Sequence, residues 1–160
     1  MPEGKIMPLT ELAAHLERLR SEGKKIIFTN GCFDILHFGH VKYLAQAKSE
    51  GDILVVGVNS DSSVKRLKSA GRPVNPEHAR AGVIGSLECV DYVTIFSEDT
   101  PLETITALKP DVLVKGGDWQ GKDIVGGEFV KSKGGKVKTV PFIDGYSTTA
   151  VISKIRHVSS

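Results

Sequence analysis

Two histidines, His37 and His40, stand in an H-x-G-H spacing that begins two residues beyond the segment Phe28-Thr29-Asn30-Gly31-Cys32-Phe33-Asp34. The apolar run from Lys25 to Phe28 predicts a short buried strand, and the small and polar residues after it turn the chain towards a helix. Residues three apart at a helix start share one face, so both imidazoles aim at the same point. That point lies beyond the carboxyl end of the strand, where open α/β sheets bind ligands. A helix start adds unpaired N–H groups and a dipole that favours an anion. The pair is therefore read as N–H donors to phosphate, the alternative being a helix cap and a packed imidazole. Thr29, Asn30, Gly31, Cys32, Phe33, Asp34 and Gly39 are candidates to line the pocket, and Asp34 is equally suited to capping the turn.

A second phosphate element is Ser147-Thr148-Thr149. Hydroxyls and free N–H groups at a helix start form an anion cradle, although an ordinary N-cap uses the same residues. Lys115 and Asp118 flank Gly116-Gly117 at a strand end, where glycines allow a ligand close to the backbone. Trp119 packs on a ligand ring or serves the core or a lid. Lys65, Lys68, Arg72 and Arg80 lie in or after a polar stretch and read as anion contacts or as surface charge.

These residues need a frame, and the chain supplies one by alternating strand-like and helix-like segments, the pattern of a parallel α/β sheet. Leu9, Leu12, Ala13, Leu16 and Leu19 mark an amphipathic opening helix that ends near Gly23. Lys25 to Thr29 is the first strand, Gly39 to Glu50 a helix, and Ile53 to Val58 an apolar strand buried on both faces. Asn59 to Asn75 is polar, and its Asp61 to Pro73 part is the candidate for a mobile acceptor-side loop. Asn75 is expected to cap the next helix with Pro76 at its first position. Tyr92 to Phe96 is a strand, and Thr100-Pro101-Leu102-Glu103 a capping box with proline at the first position. Val112 to Lys115, a helix around Gly127 to Lys133 and the strand Lys136 to Val140 follow. A last helix from near Ser147 is expected to turn Ala150, Val151 and Ile155 inward. The expected fold is a Rossmann-like three-layer α/β/α arrangement with a parallel sheet of about five strands. No G-x-G-x-x-G follows the first strand, which argues against the dinucleotide-binding variant.

At 160 residues the chain is expected to form one domain, residues 1–160, with residues 1–23 as a helical extension. Lys plus Arg is 21 and Asp plus Glu is 19, a balance that argues against a nucleic-acid-binding field. No apolar run reaches membrane-spanning length and Met1 to Met7 has no signal-peptide core, so a cytoplasmic location is expected. The two cysteines, Cys32 and Cys89, form no disulfide or metal pattern and read as small buried hydrophobes.

The string G-C-F-D-x-x-H-x-G-H resembles that of the nucleotidyltransferase superfamily. It is joined by Leu54-Val55-Val56-Gly57-Val58-Asn59-Ser60-Asp61, Gly71-Arg72-Pro73-Val74-Asn75-Pro76, Val90-Asp91-Tyr92-Val93, Lys109 to Trp119 and Asp144 to Ala150. Together these are similar to the D-glycero-β-D-manno-heptose 1-phosphate adenylyltransferases over about Lys24 to Arg156. The resemblance implies the nucleotidyltransferase type of α/β fold, with the nucleotide across the carboxyl ends of the central strands. The implied reaction is adenylyl transfer from ATP to the heptose 1-phosphate, giving ADP-heptose and pyrophosphate for surface-polysaccharide biosynthesis. Attack on the α-phosphate builds charge on its equatorial oxygens and on the leaving group, so the protein mainly aligns and stabilises.

In that reading His37, His40 and Lys42 are the catalytic set, Lys42 matching a lysine that reaches the phosphates in related cytidylyltransferases. Lys115, Gly116, Asp118, Ser147, Thr148 and Thr149 join Thr29 to Asp34 and Gly39 on the nucleotide, the serine–threonine triplet on its β- and γ-phosphates. Asn59, Asp61, Lys68, Arg72 and Arg80 are the acceptor-side candidates, with Arg80 matching an arginine of the family's helix. Mg²⁺ is expected to arrive with ATP, and no protein ligand is assigned to it. The resemblance further implies a homo-oligomer. Many relatives carry this domain behind a sugar kinase; the opening Met1 and distinct first helix favour a standalone enzyme here. The alternative is a cytidylyltransferase acting on glycerol 3-phosphate or another small polyol phosphate. The absence of an arginine from Asp144-Gly145-Tyr146 counts against that. A nucleotide-binding sensor without catalysis is a third reading, disfavoured by the intact histidine pair and triplet.

Overall fold

The computed structural model describes residues 2, 4–117 and 122–158. Its order is α1 (Leu9–Ser21), β1 (Ile26–Gly31), α2 (Phe38–Lys48), β2 (Ile53–Asn59), α3 (Asp61–Leu67), α4 (Glu77–Gly85) and β3 (Tyr92–Phe96). Then follow α5 (Leu102–Leu108), β4 (Val112–Gly116), α6 (Gly127–Ser132), β5 (Lys136–Val140) and α7 (Thr148–Val158). The five strands form one sheet in the order β3-β2-β1-β4-β5. Every pairing is parallel, with Thr29 opposite Val56 and Phe28 opposite Leu113 fixing the register around β1.

Period-2 alternation sends each strand's side chains to two separate cores. Ile27, Leu54, Val56, Val58, Val112 and Val114 pack with Leu44 and Ala47 of α2 and with Ala81 and Ile84 of α4. Ile26, Phe28, Val55 and Leu113 pack on the other face with Leu12 and Leu16 of α1, Ile105 and Leu108 of α5 and Val130 of α6. Helix α1 thus contributes to a core, with Leu12 and Leu16 completely buried. The segment before it covers the outer edge of β3, with Met7 N–H donating to Val93 O and Val93 N–H to Lys5 O.

The chain winds from β1 outward through β2 and β3 with α2 and α4 on one face. It then returns through α5 to β4 and continues outward on the opposite face. Strand order therefore reverses between β1 and β4, which leaves a crevice at their carboxyl ends.

Four local expectations are corrected. The polar stretch after β2 holds a helix, α3, capped by Ser60, whose Oγ accepts from Ser63 N–H at 3.2 Å. Helix α4 starts one residue later than expected, with Pro76 at the N-cap, and Asn75 turns its amide to the Asp34 carbonyl at 2.7 Å instead. Helix α5 likewise has Pro101 at its N-cap and no side-chain cap. Finally, α7 buries none of its residues: Ala150 and Ile155 are exposed and Val151 is half-buried.

Candidate active site

A cleft of about 930 Å³ opens at the carboxyl ends of β1, β4 and β5, between the starts of α2 and α7. His37 is the N-cap of α2 in an extended conformation (φ −138°, ψ 172°), and His40 follows one turn on. Their rings stack with centroids 3.8 Å apart and planes 20° apart. The backbone N–H of His37 donates to His40 Nδ1 across 3.4 Å. An accepting Nδ1 puts the proton of the neutral ring on Nε2, leaving His40 a donor on its other edge. Gly39 makes the arrangement possible, because a Cβ there would stand 3.0 Å from His37 Nδ1 and 3.1 Å from Tyr146 Cβ. Phe33, held at φ 46°, turns its ring edge-on beneath His40 with centroids 5.3 Å apart.

Burial lowers the His40 pKa to about 4, assisted by the neighbouring His37, and burial lowers that of His37 as well. Both rings are neutral at pH 7. The buried Nδ1 of His37 has no hydrogen-bond partner. Because the unfolded histidines titrate near 6.5, the unfolded chain binds more protons than the folded one between pH 6.5 and about 4. Stability therefore falls as pH drops through that window. Chemical denaturation of the free protein is expected to show that slope, and His40→Asn to flatten it. Asp34 is a separate case. Burial alone would raise its pKa, but the N–H groups of Asn75 and Val74 and the Arg72 guanidinium override burial and hold it below its usual 3.8. Its stabilising contribution is lost only at lower pH.

Lys115 at the end of β4 lines the same cleft and donates to Asn30 Oδ1. Burial lowers its pKa to about 8. A desolvated ammonium on a neutral amide is poised to gain from an incoming anion. Beneath them Thr29 is fully buried. Its hydroxyl meets Tyr43 Oη at 2.5 Å, and Tyr43 donates to Val114 O at 3.2 Å, tying α2 to β1 and β4. Ser147 Oγ accepts from Ala150 N–H at 3.0 Å and so caps α7. Thr148 and Thr149 line the cleft at that helix start, and Lys42 lines it from the exposed face of α2.

The acceptor-side candidates divide. Lys68 and Arg72 line the cleft, as does Asn59, whose Nδ2 donates to Ser63 Oγ at 3.0 Å. Arg80 and Asp61 do not. Arg80 is fully buried and donates through Nε to Asn75 O (3.0 Å), through Nη1 to Cys32 O (2.6 Å) and through Nη2 to Asp61 Oδ1 (2.8 Å). A side chain with its guanidinium engaged on three sides is a brace, and the expectation of an acceptor contact is corrected accordingly. Asp34 also braces. Its carboxylate is fully buried and accepts from Arg72 Nε at 2.6 Å and from Val74 and Asn75 N–H at 2.9 Å each. It holds a distant segment instead of capping its own turn, and it also lines the cleft. Gly31, Cys32 and Phe33 reach the cleft, and Gly116 does so beside Lys115. Cys32 and Cys89 are unpaired and half-buried, and burial raises both thiol pKa values. Asp118 and Trp119 lie outside the described residues.

Sequence reasoning passed over Tyr43, Phe142 and Tyr146, all of which line the cleft. For Tyr43 the signal was its place three residues after His40 on one helix face. For the other two it was an aromatic residue in the short loop before the serine–threonine triplet.

A family model described as cytidylyltransferase-like matches residues 28–154. The bifunctional protein HldE of Geobacter metallireducens is 56% identical over 153 residues, which cover 96% of this chain and 31% of that protein. The HldE of Nitratiruptor sp. is 58% identical over 138 residues, covering 86% of this chain and 29% of its own length. The chain thus spans about a third of the length of the curated relatives it matches. Among solved structures, a lipopolysaccharide core biosynthesis protein from Thermoplasma volcanium is 31% identical with a TM-score of 0.63, covering 78% of this chain and all of that one. A pantoate–β-alanine ligase from Francisella tularensis, described as complexed with beta-gamma ATP and β-alanine, is 16% identical with a TM-score of 0.62. It covers 97% of this chain and 78% of the ligase, and shares the fold.

Proposed function

The chain belongs to the cytidylyltransferase-like family of nucleotidyltransferases, and from that premise we propose that it transfers the adenylyl group of ATP to D-glycero-β-D-manno-heptose 1-phosphate. The observation that carries the reading is the stacked histidine pair facing the same cleft as Lys115 and the start of α7. The acceptor phosphate is already an anion, so no residue has to activate it. Its oxygen attacks the α-phosphorus of ATP, the bond to the β-phosphate oxygen breaks, and pyrophosphate leaves with the electron pair. His37 and His40 donate N–H bonds to the phosphates as charge moves onto them. Each neutral ring keeps one N–H to donate, and a bound triphosphate favours the imidazolium form, so the donors gain charge only when it is present. Thr148, Thr149 and Lys42 hold the β- and γ-phosphates, and Lys115 supplies a partly desolvated cation near the nucleotide. Lys68 and Arg72 face the acceptor.

Mg²⁺ enters with the triphosphate as part of the substrate and neutralises its charge. Among the described residues no three His, Cys, Asp or Glu side chains converge on one point, and the Asp34 carboxylate is taken up by Arg72 and two N–H groups. The proposal leaves the ion on the nucleotide, where it keeps several waters. No described helix is long and apolar enough to cross a membrane, and the reading places the reaction in the cytoplasm, in a homo-oligomer as the family resemblance suggests.

Pyrophosphate release tests the proposal. With ATP and Mg²⁺, turnover is expected with the heptose 1-phosphate and not with glycerol 3-phosphate. Turnover only when CTP and glycerol 3-phosphate are supplied would keep the family and overturn the substrate.

A further inference from the structure

We propose that Phe142 is the stacking platform for the purine base of the nucleotide, a subsite that rests on the nucleotidyl-transfer reading. Phe142 follows β5 in the loop that leads to α7, and it is 74% exposed although it lines the cleft. Its ring edge lies close to the end of β4. A Cβ at Gly116 would stand 2.7 Å from Phe142 Cε1, and one at Gly117 would stand 2.8 Å from Cε2. Two successive glycines leave room for the ring against the end of β4, and the second adopts φ +99°, which disfavours any other residue. The turn supports one side of the ring and the rest stays uncovered.

Position selects the ligand. Phe142 and the Ser147–Thr149 helix start lie on one loop, so a nucleotide whose phosphates sit at α7 and at the histidine pair can reach back to this ring with its base. Val140, Pro141 and Ile143 add apolar wall beside it. An open aromatic ring with apolar neighbours fits a flat heteroaromatic base better than a polyhydroxylated sugar. A purine covers more of it than a pyrimidine, which gives the site a physical reason to prefer ATP to CTP.

The test is equilibrium binding on the full chain, using etheno-ATP fluorescence and calorimetry with ATP and with tripolyphosphate. Phe142→Ala is expected to weaken ATP roughly tenfold or more, to abolish the stacking-dependent change in etheno-ATP emission, and to leave tripolyphosphate affinity unchanged. Phe142→Trp is expected to restore ATP binding. Unaltered ATP affinity in Phe142→Ala would overturn the proposal. So would an equal loss for ATP and tripolyphosphate, because the ring would then be holding the loop and not the base. A wild-type chain that binds neither compound would instead remove the nucleotidyl-transfer reading itself.

Discussion

Replacing His40 with alanine is expected to lower kcat at least about 100-fold while leaving the fold intact. The ring touches the protein lightly for so central a side chain. It accepts one long hydrogen bond, from His37 N–H at 3.4 Å, and otherwise packs against His37 and Phe33. Removing it exposes part of the Phe33 ring but strands no buried charge, because the imidazole is neutral in the folded protein. Its proposed work lies in the transition state. A preorganised N–H aimed at developing phosphate charge contributes about 2.7–4 kcal/mol, or 10²–10³ in rate. A binding role alone would raise KM and spare kcat. Steady-state kinetics with thermal unfolding separates the cases, and unchanged turnover in a folded variant would refute the assignment. His40→Asn is expected to recover only part of the rate, since its amide is shorter and lacks the ring's reach.

Much of the fold was legible because its signals are local. Ile53 to Val58 reads as a doubly buried strand from apolar continuity alone, and β2 runs from Ile53 to Asn59 between two cores. The H-x-G-H spacing likewise predicts a helix start, and α2 begins at Phe38. The parts that were not legible depend on distant segments. Helix α3 is seven residues long and is anchored on Val64, too few apolar positions to display a period. The apolar face of α7 suggested burial by its pattern, yet pattern cannot say whether a neighbour exists, and Ile155 remains 57% exposed. Arg80 is the clearest case. A lone arginine on a helix suggests surface charge or an anion contact. Two of its acceptors, Cys32 O and Asp61 Oδ1, come from 48 and 19 residues away, and only the assembled fold shows them converging.

That convergence makes Arg80→Met the second large effect expected. The guanidinium is wholly buried and links three segments behind the cleft: the loop after β1 at Cys32, the segment before α4 at Asn75, and the start of α3 at Asp61. Methionine fills much of the volume but supplies no donor. The Cys32 and Asn75 carbonyls and the Asp61 carboxylate each lose a charged partner, and breaking a buried pair from one side costs about 3–5 kcal/mol. Asp61 is 32% exposed and water can rehydrate it, which places the expected loss near the lower end of that range. Arg80→Lys keeps the charge but cannot span three acceptors, so it is expected to recover less than half of the stability. The consequence for activity follows from geometry. Asn75 also binds Asp34, and Asp34 holds Arg72 at the cleft. Loosening Asn75 should therefore disturb Arg72, and KM for the sugar phosphate should rise more than KM for ATP. Urea denaturation with paired KM measurements checks both halves. Stability within about 0.5 kcal/mol of wild type, or equal shifts in the two KM values, would show that Arg80 does not brace the acceptor side.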